Sequence, residues 1–148
     1  MGISEADLEL LMRLILATVL GGLIGFEREL HGKVAGFRTH SLVALGSALI
    51  MLVSIRVFSL YQDQVAVDPG RIAAQVVTGI GFLGAGTIIR SRTGIKGLTT
   101  AAGLWTASGI GLACGIGYFR AAFLVTGITL VVLRVFSWIG RALGARDV

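Results

Sequence analysis

Residues 72–89 read IAAQVVTGIGFLGAGTII and carry no charged side chain. This stretch approaches the length of about 20 mostly apolar residues that an α-helix needs to cross a bilayer core. The whole chain has the same character: of 148 residues, 55% are hydrophobic, 22 are glycine and only 14% are charged. Soluble domains have about 25% charged residues. The composition therefore indicates a polytopic membrane protein and excludes a soluble enzyme, a coiled coil and a disordered tail.

Four further segments of the chain are also apolar enough to cross a bilayer. The five predicted spans cover residues 8–26, 39–60, 72–89, 98–119 and 121–139. Because the loops between them are short, we predict a single domain over residues 1–148. The predicted fold class is all-α, a polytopic bundle of about five transmembrane helices.

The basic residues predict the orientation of this bundle. Nine of the 13 Lys and Arg residues lie in loops or tails that an outside N-terminus would place on the inner face: Arg28, Lys33, Arg38, Arg90, Arg92, Lys96, Arg134, Arg141 and Arg146. Inner loops of membrane proteins carry such an excess, so we predict an outside N-terminus and an inside C-terminus. The expected surroundings are therefore a lipid bilayer, and no nucleic-acid partner is expected.

One glycine motif resembles a dinucleotide-binding fingerprint. Gly79, Gly81 and Gly84 give the spacing GxGxxG, but they lie inside an uncharged span, and no Asp or Glu occurs from residue 69 to residue 146. The fingerprint requires a preceding strand and an acidic residue about 20 positions later. We also find no phosphate-binding loop, no Ser/His/Asp set and no metal-ligand spacing. The sequence thus predicts no enzyme activity, no cofactor and no metal site.

Small residues recur at helical spacing along three predicted spans. In a bilayer, such residues allow two helix backbones to approach closely. We expect spans three and four to form the tightly packed centre, and the same surfaces are candidates for homo-oligomer contacts. The predicted packing residues are Gly21, Gly25, Gly79, Gly81, Gly84, Gly86, Gly103, Ala107, Gly111 and Gly115.

Three polar residues lie within or at the end of the third predicted span: Gln75, Thr78 and Thr87. They either bond a neighbouring helix or, with Glu27, line a polar path for a small ion. Magnesium takes hard oxygen ligands, commonly carboxylates. All eight acidic residues are expected at termini or in loops near the interfaces, which disfavours a magnesium site at mid-membrane.

The predicted inner face carries a candidate anion or partner site. Spans two and four both begin there, and their positive helix ends combine with basic side chains to favour an anion. We expect Glu27 to pair with Arg38 or Arg90, and Thr39 and Thr99 to cap the two helices. The alternative is that the cations only orient the chain and contact lipid headgroups. The candidate residues are Glu27, Arg28, Arg38, Thr39, Arg90, Lys96, Thr99 and Thr100.

Several dense motifs occur in a fixed order along the chain. They are GFERE at 25–29, GFRTH at 36–40, DPGR at 68–71 and a glycine-rich segment at 79–86, followed by Arg90, Gly94, Lys96, Gly97, Thr99, Thr100 and Trp105. At these residues the sequence resembles the MgtC/SapB family of bacterial inner-membrane proteins. The match runs from about residue 21 to residue 117. It implies an inner-membrane location and five spans.

The resemblance also implies a function. Members resemble proteins induced under magnesium limitation and needed for survival inside macrophages, and at least one is described as restraining the F-type ATP synthase. Many members carry a soluble ACT-like domain after the spans, which we do not expect in this chain. The sequence therefore favours a regulator that contacts another membrane complex such as ATP synthase. The alternative is a channel or transporter for Mg²⁺ or another small ion.

Overall fold

A computed structural model describes residues 4–64, 66–92 and 94–142. Its helices are α1 (Glu5–Leu30), α2 (Phe37–Tyr61), α3 (Pro69–Thr87), α4 (Leu98–Ile116), α5 (Phe119–Val131) and α6 (Ser137–Ala142), with a π-helical turn at Val132–Phe136 between the last two. Strands β1 (Ile89–Ser91) and β2 (Gly94–Lys96) connect α3 to α4. The predicted all-α membrane bundle is confirmed.

Three helical segments are long and apolar enough to span a membrane: Glu5–Leu30, Phe37–Tyr61 and Phe119–Ile139, with mean hydropathies of 1.9, 2.1 and 2.0. Helices α3 and α4 have 19 residues each. At 1.5 Å per residue they are about 28 Å long, close to the ~30 Å of a bilayer core. Their assignment as the third and fourth spans stays a prediction, as does the orientation of the bundle.

Helix α2 lies between α1 and α4 and contacts both through small residues. A Cβ added at Gly21 of α1 would lie 2.7 Å from the backbone oxygen of His40. From the other side, a Cβ at Gly111 of α4 would lie 2.2 Å from the oxygen of Ala44. Because only glycine leaves room for these backbones, the three helices form one close-packed unit.

The remaining predicted packing residues of α1 and α4 lie in the same two interfaces. Gly25 lies against the backbone of Gly36, and Gly115 against that of Ala48. Gly103 faces the imidazole of His40, and Ala107 is fully buried. The main apolar core lies between these helices, α5 and the π-helical turn, and consists of Ala17, Leu20, Ile24, Ala44, Ala48, Ile110, Cys114, Ala122 and Leu133.

Helix α3 lies at the edge of the bundle, and the prediction that it shares the packed centre is wrong. Cβ atoms added at Gly79, Gly81 and Gly86 would meet nothing within 4 Å. Only Gly84 faces a neighbour, with its added Cβ 3.5 Å from Cβ of Ala101 in α4. Spacing alone marks small residues, but it does not tell which of them face another helix.

The helix ends differ from the prediction at two of three places. Asp68 caps α3 as expected, accepting a hydrogen bond of 2.7 Å from the Gly70 N–H, with Pro69 in the first turn. However, α2 begins after Gly36 and α4 after Gly97, so Thr39 and Thr99 lie inside the helices and cap neither. Gly36 lies against the Glu29 side chain, whereas Gly97 has a positive φ and lies against the Thr87 backbone, which glycine permits.

A β-hairpin replaces the irregular loop expected between α3 and α4. Residues Ile89, Arg90 and Ser91 pair antiparallel with Lys96, Ile95 and Gly94. Gly97 then turns the chain at a φ of 93°, and its added Cβ would lie 1.9 Å from the Thr87 carbonyl oxygen. The hairpin therefore brings the end of α3 and the start of α4 into direct contact.

At the opposite end of the bundle, Arg13 links α1 to α4. Its guanidinium donates a hydrogen bond of 2.7 Å to the carbonyl oxygen of Gly115 and forms an ion pair of 2.5 Å with Glu9. A cation is favourable at a helix C-terminus, where carbonyl groups lack partners. Near the other end of the chain, Arg146 lies outside the described residues, and the structure does not describe the Arg141 side chain.

Candidate functional site

A buried ion pair lies at the end of α1 that the orientation prediction places inside the cell. The Arg28 Nε donates a hydrogen bond of 2.5 Å to the Glu27 Oε2, and the two residues are only 2% and 4% exposed. His31 Nδ1 lies 3.1 Å from the other carboxylate oxygen of Glu27. Removing two charges from water is unfavourable, and such a pair persists only when each charge compensates the other.

This ion pair differs from the one predicted. The sequence predicts Glu27 in a loop, paired with Arg38 or Arg90, whereas it lies inside α1 and pairs with its sequence neighbour. Arg38 and Arg90 are both exposed. The difference arises because α1 continues to Leu30, four residues past the predicted span, so that Glu27 is a buried residue of this helix.

His40 lies close to this pair and is completely buried. Its Nδ1 lies 3.0 Å from the Gly36 carbonyl oxygen, so Nδ1 carries the proton and Nε2 is left as an acceptor. Among the described residues, Nε2 has no hydrogen-bond partner. It faces α4, where a Cβ added at Gly103 would lie 3.2 Å away.

The adjacent hydroxyl group is also without a partner. Ser41 is 7% exposed, and its Oγ makes no hydrogen bond to any described residue. It lies beside Gly22 of α1, where an added Cβ would approach it to 2.9 Å. Buried polar atoms are normally hydrogen-bonded, so the unpartnered His40 Nε2 and Ser41 Oγ mark a second polar region of the close-packed unit, next to the Glu27–Arg28 pair. His40 belongs to the sequence motif at 36–40, whereas no pattern in the sequence indicates Ser41.

The eight predicted inner-face residues separate into two groups. Glu27, Arg28 and Thr100 are buried between helices. Arg38, Thr39, Arg90, Lys96 and Thr99 are exposed. Of the exposed group, Arg38 and Thr39 lie at the start of α2, whereas Arg90 and Lys96 lie on the hairpin. The structure therefore does not assemble them into one anion site.

Arg38 and Thr39 line a polar pocket of about 220 Å³. Its other lining residues are Glu29, Lys33, Val34 and Gly36. The Glu29 carboxylate already accepts a hydrogen bond of 2.8 Å from the Phe37 N–H at the start of α2. Neither Arg38 nor Lys33 has an ion-pair partner among the residues that the structure describes. This pocket is thus net positive and next to a helix N-terminus, an arrangement that favours an anion.

A second, apolar cavity begins at the same two residues. It is a groove of about 760 Å³ between α2 and α3. Gln75 lies on its wall, while Thr78 is exposed on α3 and does not line it. Thr87, the third predicted intramembrane polar residue, donates a hydrogen bond of 2.8 Å to the Gly84 carbonyl oxygen. The three residues are therefore not brought together along one path.

Metal ligands are not clustered in the part of the chain that the structure describes. Over those residues, no three His, Cys, Asp or Glu side chains form a group that could hold a metal ion. Cys114 is buried in the apolar core, where it packs as a small side chain.

Comparison with known proteins agrees with the motifs of this site. The family model described as the MgtC family matches residues 14–142, which include both buried charges and the whole hairpin. The chain belongs to the MgtC family. No solved structure matches it.

Three curated relatives show how far this similarity extends. YhiD of Escherichia coli K12, whose name provisionally calls it a magnesium transporter, is 50% identical over 130 residues, 86% of this chain and 60% of YhiD. SapB of Bacillus subtilis is 39% identical over 93% of this chain and 61% of SapB. MgtC of Salmonella typhimurium LT2 is 47% identical over 60% of this chain and 35% of MgtC. The chain thus spans about three fifths of the length of YhiD.

Proposed function

We propose that this MgtC-family chain is a non-enzymatic regulator of the bacterial inner membrane that acts by contacting another membrane complex. The observation that supports it is the outer face of α3. There, Phe82 is 84% exposed, and the space around Gly86, four residues later on the same side of the helix, is empty within 4 Å of an added Cβ.

Such a face suits a second transmembrane helix. Lipid tails are as apolar as the side chains on a helix surface, so the hydrophobic effect does not drive two helices together in a bilayer. Helices associate there through close backbone approach at small residues. Gly86 provides the close approach, and Phe82, one turn earlier on the same face, provides a large apolar contact. An F-type ATP synthase is the partner that the family resemblance implies, and a second copy of the chain is the competing occupant.

Ion transport is the second candidate function, favoured by the name of YhiD and by Gln75 on the groove wall. The paired state of Glu27 supports regulation over transport. The Arg28 Nε binds the Oε2 of the Glu27 carboxylate, whereas Oε1 lies 3.1 Å from His31 Nδ1 and has no hydrogen-bond partner among the described residues. A cation at Oε1 would lie beside the buried Arg28 guanidinium, and the repulsion between these like charges disfavours cation binding there.

Site-specific photo-crosslinking in intact cells tests the proposed contact. A photoreactive phenylalanine analogue replaces Phe82 in one variant and Phe123 of α5 in the matched control, where the native ring is also exposed, at 55%. We expect one discrete adduct with another membrane protein at position 82 and none of that mass at position 123. Identical adducts at both positions, or an adduct only with a second copy of the chain, would contradict the proposal.

Flux measurement in proteoliposomes tests the transport alternative. The purified chain is reconstituted into vesicles loaded with a magnesium-sensitive dye, and Gln75→Leu is measured beside the native chain. Regulation predicts that Mg²⁺ entry equals that of protein-free vesicles. Entry above that level that Gln75→Leu removes would establish transport and overturn the regulatory proposal.

A further inference from the structure

The apolar groove between α2 and α3 and the polar pocket at the start of α2 form one continuous surface. Arg38 and Thr39 line both. From there the groove continues mostly between apolar side chains and glycines: Leu42, Val43, Gly46, Ile50, Val76, Gly79, Ile80 and Leu83. Its two other lining residues are Ser47, whose hydroxyl donates to the Val43 carbonyl oxygen, and Gln75. A surface that is mostly apolar and cationic at one end matches an amphipathic molecule with an anionic head.

The length of the groove matches one leaflet of a bilayer. Along α2 it extends from Arg38 to Ile50. At 1.5 Å per residue this is about 18 Å, and half of the ~30 Å hydrocarbon core is about 15 Å. The cationic end lies at the start of α2, which the predicted orientation places at the inner interface. An acyl chain anchored there would end near mid-membrane.

The polar pocket provides groups for a phosphate. Arg38 and Lys33 have no carboxylate partner among the described residues, and the only carboxylate in the pocket, Glu29, is occupied by the Phe37 N–H. The Arg38 and Thr39 N–H groups belong to the first turn of α2, where backbone donors lack partners within the helix. A guanidinium group with adjacent backbone donors binds phosphate through charge-assisted hydrogen bonds.

We propose that this surface binds one anionic phospholipid of the inner leaflet, with its phosphate at Arg38 and Lys33 and an acyl chain in the groove. The proposal goes beyond the proposed function and does not depend on it, because Phe82 and Gly86 do not line the groove. A helix from a second copy would fill the apolar part but would leave the two cations unpaired. The described acids on the inner side of that copy already have partners, because Glu27 pairs with Arg28 and Glu29 accepts a hydrogen bond from the Phe37 N–H.

Native mass spectrometry of the purified full chain measures this binding. The chain is titrated with phosphatidylglycerol or phosphatidylcholine of identical acyl chains. One variant changes the head site, Arg38→Gln, with Arg92→Gln as its control, an exposed arginine outside the pocket. The other fills the groove, Gly46→Leu, with Gly127→Leu as its control, since a Cβ added at either glycine meets nothing within 4 Å.

We expect the native chain to retain one phosphatidylglycerol in preference to phosphatidylcholine. Arg38→Gln should weaken phosphatidylglycerol binding about fivefold, the effect of one cation near a lipid surface, and Gly46→Leu should weaken both lipids. The two controls should bind as the native chain does, and helix content measured by circular dichroism verifies folding.

Three results would overturn the proposal. One is equal loss in Arg38→Gln and Arg92→Gln, which would indicate only general surface charge. Another is native-level binding in Gly46→Leu. The third is a dimer that Gly46→Leu dissociates, which would assign the groove to a second copy. None of these results bears on the crosslink at position 82, so the two proposals fail separately.

Discussion

Gly111 of α4 lies directly against Ala44 of α2, so that a Cβ at position 111 would be 2.2 Å from the Ala44 carbonyl oxygen. Two residues earlier on the same helix, a Cβ at Gly109 would meet nothing within 4 Å. Gly111 therefore lies on the side of α4 that faces α2 and is needed for this contact, whereas Gly109 lies on another side and is not.

We expect Gly111→Ala to destabilise the bundle by about 1–3 kcal/mol, because the backbone of α2 must move to admit the methyl group. Gly109→Ala is the matched control and should change the free energy of unfolding little. Reversible unfolding in mixed detergent micelles, followed by circular dichroism, measures both. Equal stability of the two variants would show that α2 and α4 do not pack as described.

Glu27→Gln should destabilise the chain more than any substitution of an exposed acid. It leaves the Arg28 guanidinium buried without a compensating charge, at a cost of about 3–5 kcal/mol. The double variant Glu27→Leu/Arg28→Met should recover part of that loss, since it removes both buried charges. The same unfolding measurement compares them, and a double variant no more stable than Glu27→Gln would contradict a compensated pair.

Gly97→Ala should disrupt the junction between the hairpin and α4. Both Gly94 and Gly97 have a positive φ, at 138° and 93°, but only a Cβ at Gly97 collides, 1.9 Å from the Thr87 oxygen. Gly94→Ala is thus a control for backbone strain without the collision. We expect a lower thermal midpoint for Gly97→Ala than for Gly94→Ala, measured by fluorescence-detected size exclusion. The reverse order would show that the collision is not the larger effect.

The predicted orientation can be tested by thiol labelling. In a Cys114→Ala background, a cysteine replacing Lys33 should react with a membrane-impermeant maleimide only after the cells are opened. A cysteine replacing Gln62, which follows the far end of α2, should react in intact cells. The excess of basic residues on the inner face gives this expectation. Labelling of position 33 in intact cells would reverse the orientation and remove the inner-leaflet lipid site.

Much of the fold follows from the sequence because the hydropathy of each segment is a local property. The positions of the helices, the Asp68 cap and the small-residue contacts of Gly111 and Gly115 belong to this part. The position of α3 does not, because Gly79 and Gly111 have the same chemistry and differ only in what faces them. That difference depends on contacts between helices, which local spacing does not encode.

The candidate site was less predictable for a related reason. A charge favours the end of a span, which predicts Glu27 in a loop, but a paired charge can continue inside a helix. The hairpin has only a weak local signal, since Ile89 and Ile95 flank a polar segment with one glycine, and periodicity does not distinguish it from a loop. His40 belongs to the motif at 36–40, but the burial of His40 and Ser41 depends on contacts between helices, which the sequence does not encode.

The pairing of Glu27 with its immediate neighbour has a consequence for biogenesis. Both charges belong to α1, which is synthesised before α2 and α4, so they can neutralise each other before those two helices have emerged from the ribosome. The pair then adds no net charge to α1 as the helix leaves the translocon. When α2 and α4 then pack against α1, they enclose an ion pair that has already formed.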